Sequence, residues 1–201
     1  MRELPGPGRF AALALLVSLV ARPVTASDKE PTEISKVDRW TTKADFHGIV
    51  VLVGVRLLTV KHRPYSYIPL QLSVSNYGKT SLKLDVKAFK LKDEDGHEFP
   101  VATWDEIRKE HKLLQYDKER SRAFGFDDLD QTPATVVRSR FYPVQGEPVD
   151  PNIELLTSER IVDLIYFRND EKISLTKLTL TIEGMIDAPG LRIPLEIPAP
   201  E

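Results

Sequence analysis

The chain has 201 residues, 41% of them hydrophobic, no cysteine, and a formal charge of −2. That composition excludes disulfide stapling, thiolate chemistry and a cysteine-linked lipid anchor. It also leaves no basic excess with which to hold nucleic acid or an anionic membrane.

Residues 1–26 read as a cleaved secretory signal. Arg2 and Arg9 precede an uncharged apolar run from Phe10 to Ala21, followed by "RPVTAS" with Val24 and Ala26 at the −3 and −1 positions. A dozen apolar residues fall short of the roughly 20 that span a bilayer. Cleavage after Ala26 is therefore expected, with a secreted or periplasmic product that keeps no stable membrane anchor. It would remove Arg2, Arg9 and Arg22 together with Glu3, taking the formal charge from −2 to −4. The remaining length suits one domain that buries about 70% of its unfolded surface.

Residues 27–47 are polar, with Ile34, Val37, Trp40 and Phe46 scattered among them, and read as a mobile entry segment pinned by Trp40. Order is expected from Gly48 to Glu201. "GIVVLVGVRLLTV" is apolar on both faces and β-branched, as in a strand buried on both sides. "YIPLQLSV" alternates, with Leu70, Leu72 and Val74 inward and Gln71, Ser73 and Ser75 outward, the period of a half-buried antiparallel strand. Leu82, Leu84, Val86 and Ala88 continue the pattern. The phase then slips, since Phe89 and Leu91 carry the apolar side, and a β-bulge near Ala88 would re-aim them.

"TWDEIRKEHKLLQYDKERSR" departs from this period. Thr103 with Glu106 three residues later is a capping box, and Trp104, Ile107, His111 and Leu114 recur at helical spacing. The spacing predicts one helix from Trp104 to about Arg120. Strands resume in "PATVVRSRFYP", "ERIVDLIYFR" and "SLTKLTLTIEGMID". A last hairpin around "DAPG" carries Leu191, Ile193, Leu195 and Ile197 on one face. Pro194 and Pro198 cannot donate to a ladder, which places that arm at a sheet edge.

About eight strands with one helical insertion predict an all-β immunoglobulin-like antiparallel β-sandwich; a partly open β-barrel is the alternative. The stretch "LQLSVSNYGKTSLKLDVKAFKLKDEDGHEF" resembles the bacterial extracellular, telokin-like immunoglobulin-fold domains of unknown function. Those share an alternating strand, a turn Asn and "L-x-D-x-D-G-x-x-Y/F", here met by Asn76, Leu91, Asp93, Asp95, Gly96 and Phe99. The resemblance implies a fold and a compartment and brings no catalytic residues.

Chemistry in the sequence is sparse. Asp93 and Asp95 in "DEDG", and Asp127, Asp128 and Asp130 in "FGFDDLDQTP", are the calcium candidates, as oxygen donors to a hard cation. An EF-hand loop counted back from Gly96 would begin at Leu91 and end at Ala102, where a bidentate Glu is needed, so "DEDG" reads as a turn whose Gly takes positive φ, as type I′ turns require. His47, His62, His97 and His111 show no paired-ligand spacing. There is no nucleophile elbow and no phosphate loop. No cofactor is expected. Tyr65, Tyr67, Phe141 and Tyr142 are the candidate recognition aromatics.

These readings converge on an exported, non-catalytic interaction module whose partner would be an extracytoplasmic protein or glycan, not nucleic acid. Two other classes stand beside it. One is a polysaccharide hydrolase using carboxylates around the insertion. The other is a calcium-dependent carbohydrate-binding or adhesion module.

Overall fold

The computed structural model describes residues 33–60, 66–129, 132–138, 140–143, 148–171, 175–185 and 190–199. Twelve strands and two α-helices lie in these residues. The strands are β1 (Glu33–Lys36), β2 (Thr41–Phe46), β3 (Ile49–Gly54), β4 (Tyr67–Asn76), β5 (Leu82–Asp85), β6 (Phe89–Asp93), β7 (Glu98–Phe99), β8 (Thr135–Val137), β9 (Asn152–Leu155), β10 (Glu159–Arg168), β11 (Lys177–Ile182) and β12 (Leu191–Glu196). The helices are α1 (Trp104–Glu110) and α2 (Leu114–Ala123).

They form a six-stranded sheet ordered β1-β2-β3-β4-β10-β8, a four-stranded sheet ordered β12-β11-β6-β7, and the pair β5-β9. Every pairing is antiparallel except β8 with β10. No sheet closes on itself among the described residues. One contiguous apolar core draws on all three sheets, with Ala44, Val51, Leu72, Ile165, Leu84, Leu91, Leu180 and Ile193 among its members.

The six-stranded sheet begins earlier than the sequence suggests, because β1 and β2 fall within the polar segment 27–47. A two-residue turn at His47 and Gly48, with φ of 52° and 78°, joins β2 to β3. Positive φ at both positions is the hairpin geometry that matches strand twist, and His47 accepts it where Gly is the commoner choice. Trp40 is buried, as the sequence reading has it, beneath the guanidinium of Arg39. All six residues of β3 are buried. The strand ends at Gly54, sooner than its apolar run, and the chain turns through a 3₁₀ segment at Arg56–Thr59.

In β4 the alternation is real but the half-burial is not. Ile68, Leu70, Leu72 and Val74 enter the core, while Gln71, Ser73 and Ser75, expected in water, are also buried. The insertion covers Gln71. Ser121 of α2 accepts from Gln71 Nε2 at 3.0 Å, and Phe126 packs so close to Gly54 that a Cβ there would sit 2.8 Å from its ring.

The slip at Ala88–Phe89 is confirmed, with another cause. No bulge re-aims the chain; a 3₁₀ turn at Val86–Ala88 carries it out of the β5-β9 pair and into the four-stranded sheet as β6. The β6–β7 reversal is a hairpin around "DEDG", as expected. Only Gly96 takes positive φ there (86°), so the turn is not of type I′. Gly96 N donates to Asp93 O, and Asp93 Oδ1 accepts from the amides of Asp95 and His97.

The predicted single helix is two. Thr103 and Glu106 form the capping box of α1, but the helix stops at His111, whose backbone (φ −94°, ψ 88°) is not helical. Turning there sends the imidazole inward, and the chain restarts as α2. The last hairpin holds as read. β12 pairs with β11, lies at the edge of the four-stranded sheet, and buries Leu191, Ile193 and Leu195. Residues 187–189 of its "DAPG" turn lie outside the described residues.

Candidate functional site

Two places concentrate polar chemistry: the underside of the helical insertion, and a groove where the edges of the two larger sheets approach each other.

Under the insertion, His111 Nε2 lies 2.8 Å from Asp117 Oδ2, and the hydroxyl of Tyr166 donates to the same oxygen at 3.0 Å. All three side chains are buried. The rings of Tyr67 and Tyr166 flank the imidazole at 5.4 and 5.1 Å. Tyr67 donates its hydroxyl to Glu110 Oε2 at 2.9 Å; burial, then that carboxylate, push its pKa up to about 12. Glu106 accepts from the Thr103 backbone at 2.7 Å and from Arg168 Nη1 at 2.9 Å. The Thr103 amide is the larger cause that holds this carboxyl below its usual range, and Arg168 adds to it. Tyr142 donates to Ala102 O at 2.7 Å, and burial raises its phenol pKa.

These carboxylates are spoken for. Glu106 anchors a helix start, Glu110 holds a phenol, and Asp117 sits between an imidazole and a phenol with no exposed surface. The network joins α1 and α2 to β4 and β10 and works as a structural fastening. Sequence spacing could not show it, since His111 and Asp117 meet only because the helix breaks between them.

The residues singled out from sequence are dispersed. Tyr67, Phe141 and Tyr142 are buried, so the reading of them as an exposed recognition surface is corrected. Phe141 meets Phe89 edge-on and Tyr142 meets Tyr166, as members of the core. Tyr65 lies outside the described residues, as do Asp130 and the side chain of Asp127. Asp93 is used by its own turn, and Asp95 and Asp128 are exposed. Among the described residues no three His, Asp or Glu side chains gather as a metal site would require.

A groove of about 650 Å³ is lined by Lys36, Asp38, Arg39, Thr176, Lys177, Glu196, Ile197 and Pro198. It lies between the link from β1 to β2 and the ends of β11 and β12. Lys36 reaches Glu196 across it at 3.8 Å, while Lys177 turns to Glu94 at 3.2 Å. Both pairs are exposed and contribute little to stability, so the cations can exchange partners. Ile197 and Pro198 supply the apolar lining.

Strand chemistry decides how that groove can be used. Ile197 N donates to Thr176 O at 2.8 Å, which fixes the alternation along β12. Arg192, Pro194, Glu196 and Pro198 therefore present the outer edge, and the two prolines have no N–H to offer. Half of the outward donors are missing, which blunts the edge against an added strand. Recognition here rests on side chains.

Neither a protein-family model nor a curated protein sequence matches the chain. Among solved structures, the crystal structure of the yjhA protein from Bacillus subtilis is similar at a TM-score of 0.38 and 9% identity, over 83% of this chain and 96% of that one.

Proposed function

We propose that the protein is an exported, non-catalytic interaction module built on an immunoglobulin-like sandwich, and that its partner is a protein whose acidic segment lies in the groove between β1 and β12. The groove is the observation that carries this reading. Lys36, Arg39 and Lys177 outnumber Asp38 and Glu196 around it, and Ile197 and Pro198 give an apolar floor. A protein is favoured over a glycan because the aromatics that would stack on sugar rings, Tyr67, Phe141 and Tyr142, are buried. The leader-like segment 1–26 and the telokin-like pattern around Asn76 and Gly96 support export and the sandwich reading.

One experiment addresses both halves. The full chain, carrying a photo-crosslinking residue at Ile197, is expressed in its native host and recovered from outside the cytoplasm. The bait is expected to begin at Ser27 and to carry a protein adduct absent when the same residue replaces exposed Lys87. A bait that retains Met1, or identical adducts from both positions, would count against the reading; a glycan adduct at Ile197 would shift it to the sugar-binding alternative.

A further inference from the structure

Helix α2 is docked without an apolar face. Its buried residues are Asp117 and Ser121, one turn apart, and both hydrogen-bond to the sheet. Asp117 accepts from Tyr166 of β10 at 3.0 Å, Ser121 accepts from Gln71 of β4 at 3.0 Å, and Lys118 lies 3.7 Å from Asp163. Leu114 and Phe124 make apolar contacts only at the two ends and are half-buried. The sheet side is mixed, with buried Leu52 and Leu164 directly across from Ser73 and Gln71 on the same face. Gln71, Ser73 and Ser75 are the polar set of an alternating strand, and Ser73 Oγ, though buried, has no hydrogen-bond partner among the described residues.

A helix whose buried residues are polar is therefore docked on a sheet face that is only partly apolar. Helices in folded proteins are held mainly by burying an apolar stripe, and α2 has none to bury. Separating it exchanges protein hydrogen bonds for water hydrogen bonds and uncovers Leu164, a smaller cost than exposing the continuous apolar core face of β4. The ends of α2 suit a hinge. Residues 111–113 are already non-helical, and Gly125 takes φ of 67° with open space around its Cβ position.

We infer that α2 is a detachable cover, latched by Asp117 and Ser121, which lifts from β4 and β10 while the β core stays folded. The open form exposes a hydrogen-bonding strip of Gln71, Ser73 and Tyr166. It is the state the alternation of β4 describes by itself.

The absence of native cysteine makes the test direct. A thiol is placed under the cover by Gln71→Cys or, as a control on the core face of the same strand, by Val74→Cys. Each variant is then treated with a thiol reagent under native conditions. Lifting of α2 predicts labelling at position 71 at least about tenfold faster than at 74. Adding Asp117→Asn should speed labelling at 71 by about tenfold, with 71 still labelled faster than 74. Equal rates at 71 and 74 in the otherwise native chain would overturn the inference, since both thiols would then be reached only by global unfolding. That comparison stands even if Asp117→Asn fails to fold.

Discussion

Asn76 shows what one side chain can hold. It is buried at the end of β4, where its Oδ1 accepts from Gly78 N at 3.0 Å and its Nδ2 donates to Thr80 O and Leu155 O, each at 2.9 Å. The backbone oxygen of the same residue accepts from Ser158 N at 2.7 Å. One amide thus ties the loop after β4 to the end of β9. Asn76→Ala would leave the buried Leu155 carbonyl unpaired and release the turn at 78–80, and should cost on the order of 3 kcal/mol, read as a lower denaturant midpoint at constant slope. A loss below about 0.5 kcal/mol would mean that water replaces the amide at no cost. The sequence marks this position only as Asn in a turn. Its partners at 80 and 155 cannot be read locally, because one of them comes from a strand in another sheet. The aromatics failed for the same reason: Tyr67 and Tyr142 carry hydroxyls that look made for a surface, yet both rings are buried, and the hydroxyls reach Glu110 at the rim and Ala102 inside.

Among the elements, the capping box of α1 was legible because it is local chemistry. Thr103 and Glu106 satisfy each other within one turn, and Arg168 adds a bond from β10. The pH behaviour follows from Glu106, whose folded-state carboxyl is held below its usual range by the Thr103 amide and then by Arg168. A depressed folded value contributes stability that is present above the ordinary glutamate range and lost as pH falls through the depressed value. Glu106→Gln should therefore be less stable than the parent by about 1 kcal/mol at neutral pH, with the gap closing in acid. A gap that persists unchanged to low pH would mean the carboxylate charge plays no part. The break at His111 was not legible, since the helical period runs through it and only the buried bond to Asp117 explains why the chain turns. The phase slip after Ala88 was legible as a slip. Its cause was not, because a strand changing sheets and a bulged strand leave the same mark on the apolar pattern. β2 was missed because Thr41–Phe46 has few apolar residues, and its place in the sheet is set by pairing with β3.

At the scale of the whole molecule, apolar alternation was enough to give a largely antiparallel β architecture with one contiguous core. It was not enough to give the strand number or the second helix. The edge reading of the last arm also held, and the prolines that revealed it now restrict what β12 can bind. The groove itself could not be anticipated, because Lys36, Lys177 and Glu196 come together only when the ends of two sheets meet. It is the feature on which the interaction reading depends. The most direct measurement is the affinity of the crosslinked partner, once identified, for the native protein and for the double variant Lys36→Glu, Lys177→Glu. Both substitutions lie on exposed pairs and should leave the melting temperature nearly unchanged. Weakening by about tenfold or more, eased as salt is added to both, is the predicted result. An affinity equal to that of the native protein, with both proteins folded, would contradict the groove as the place of binding.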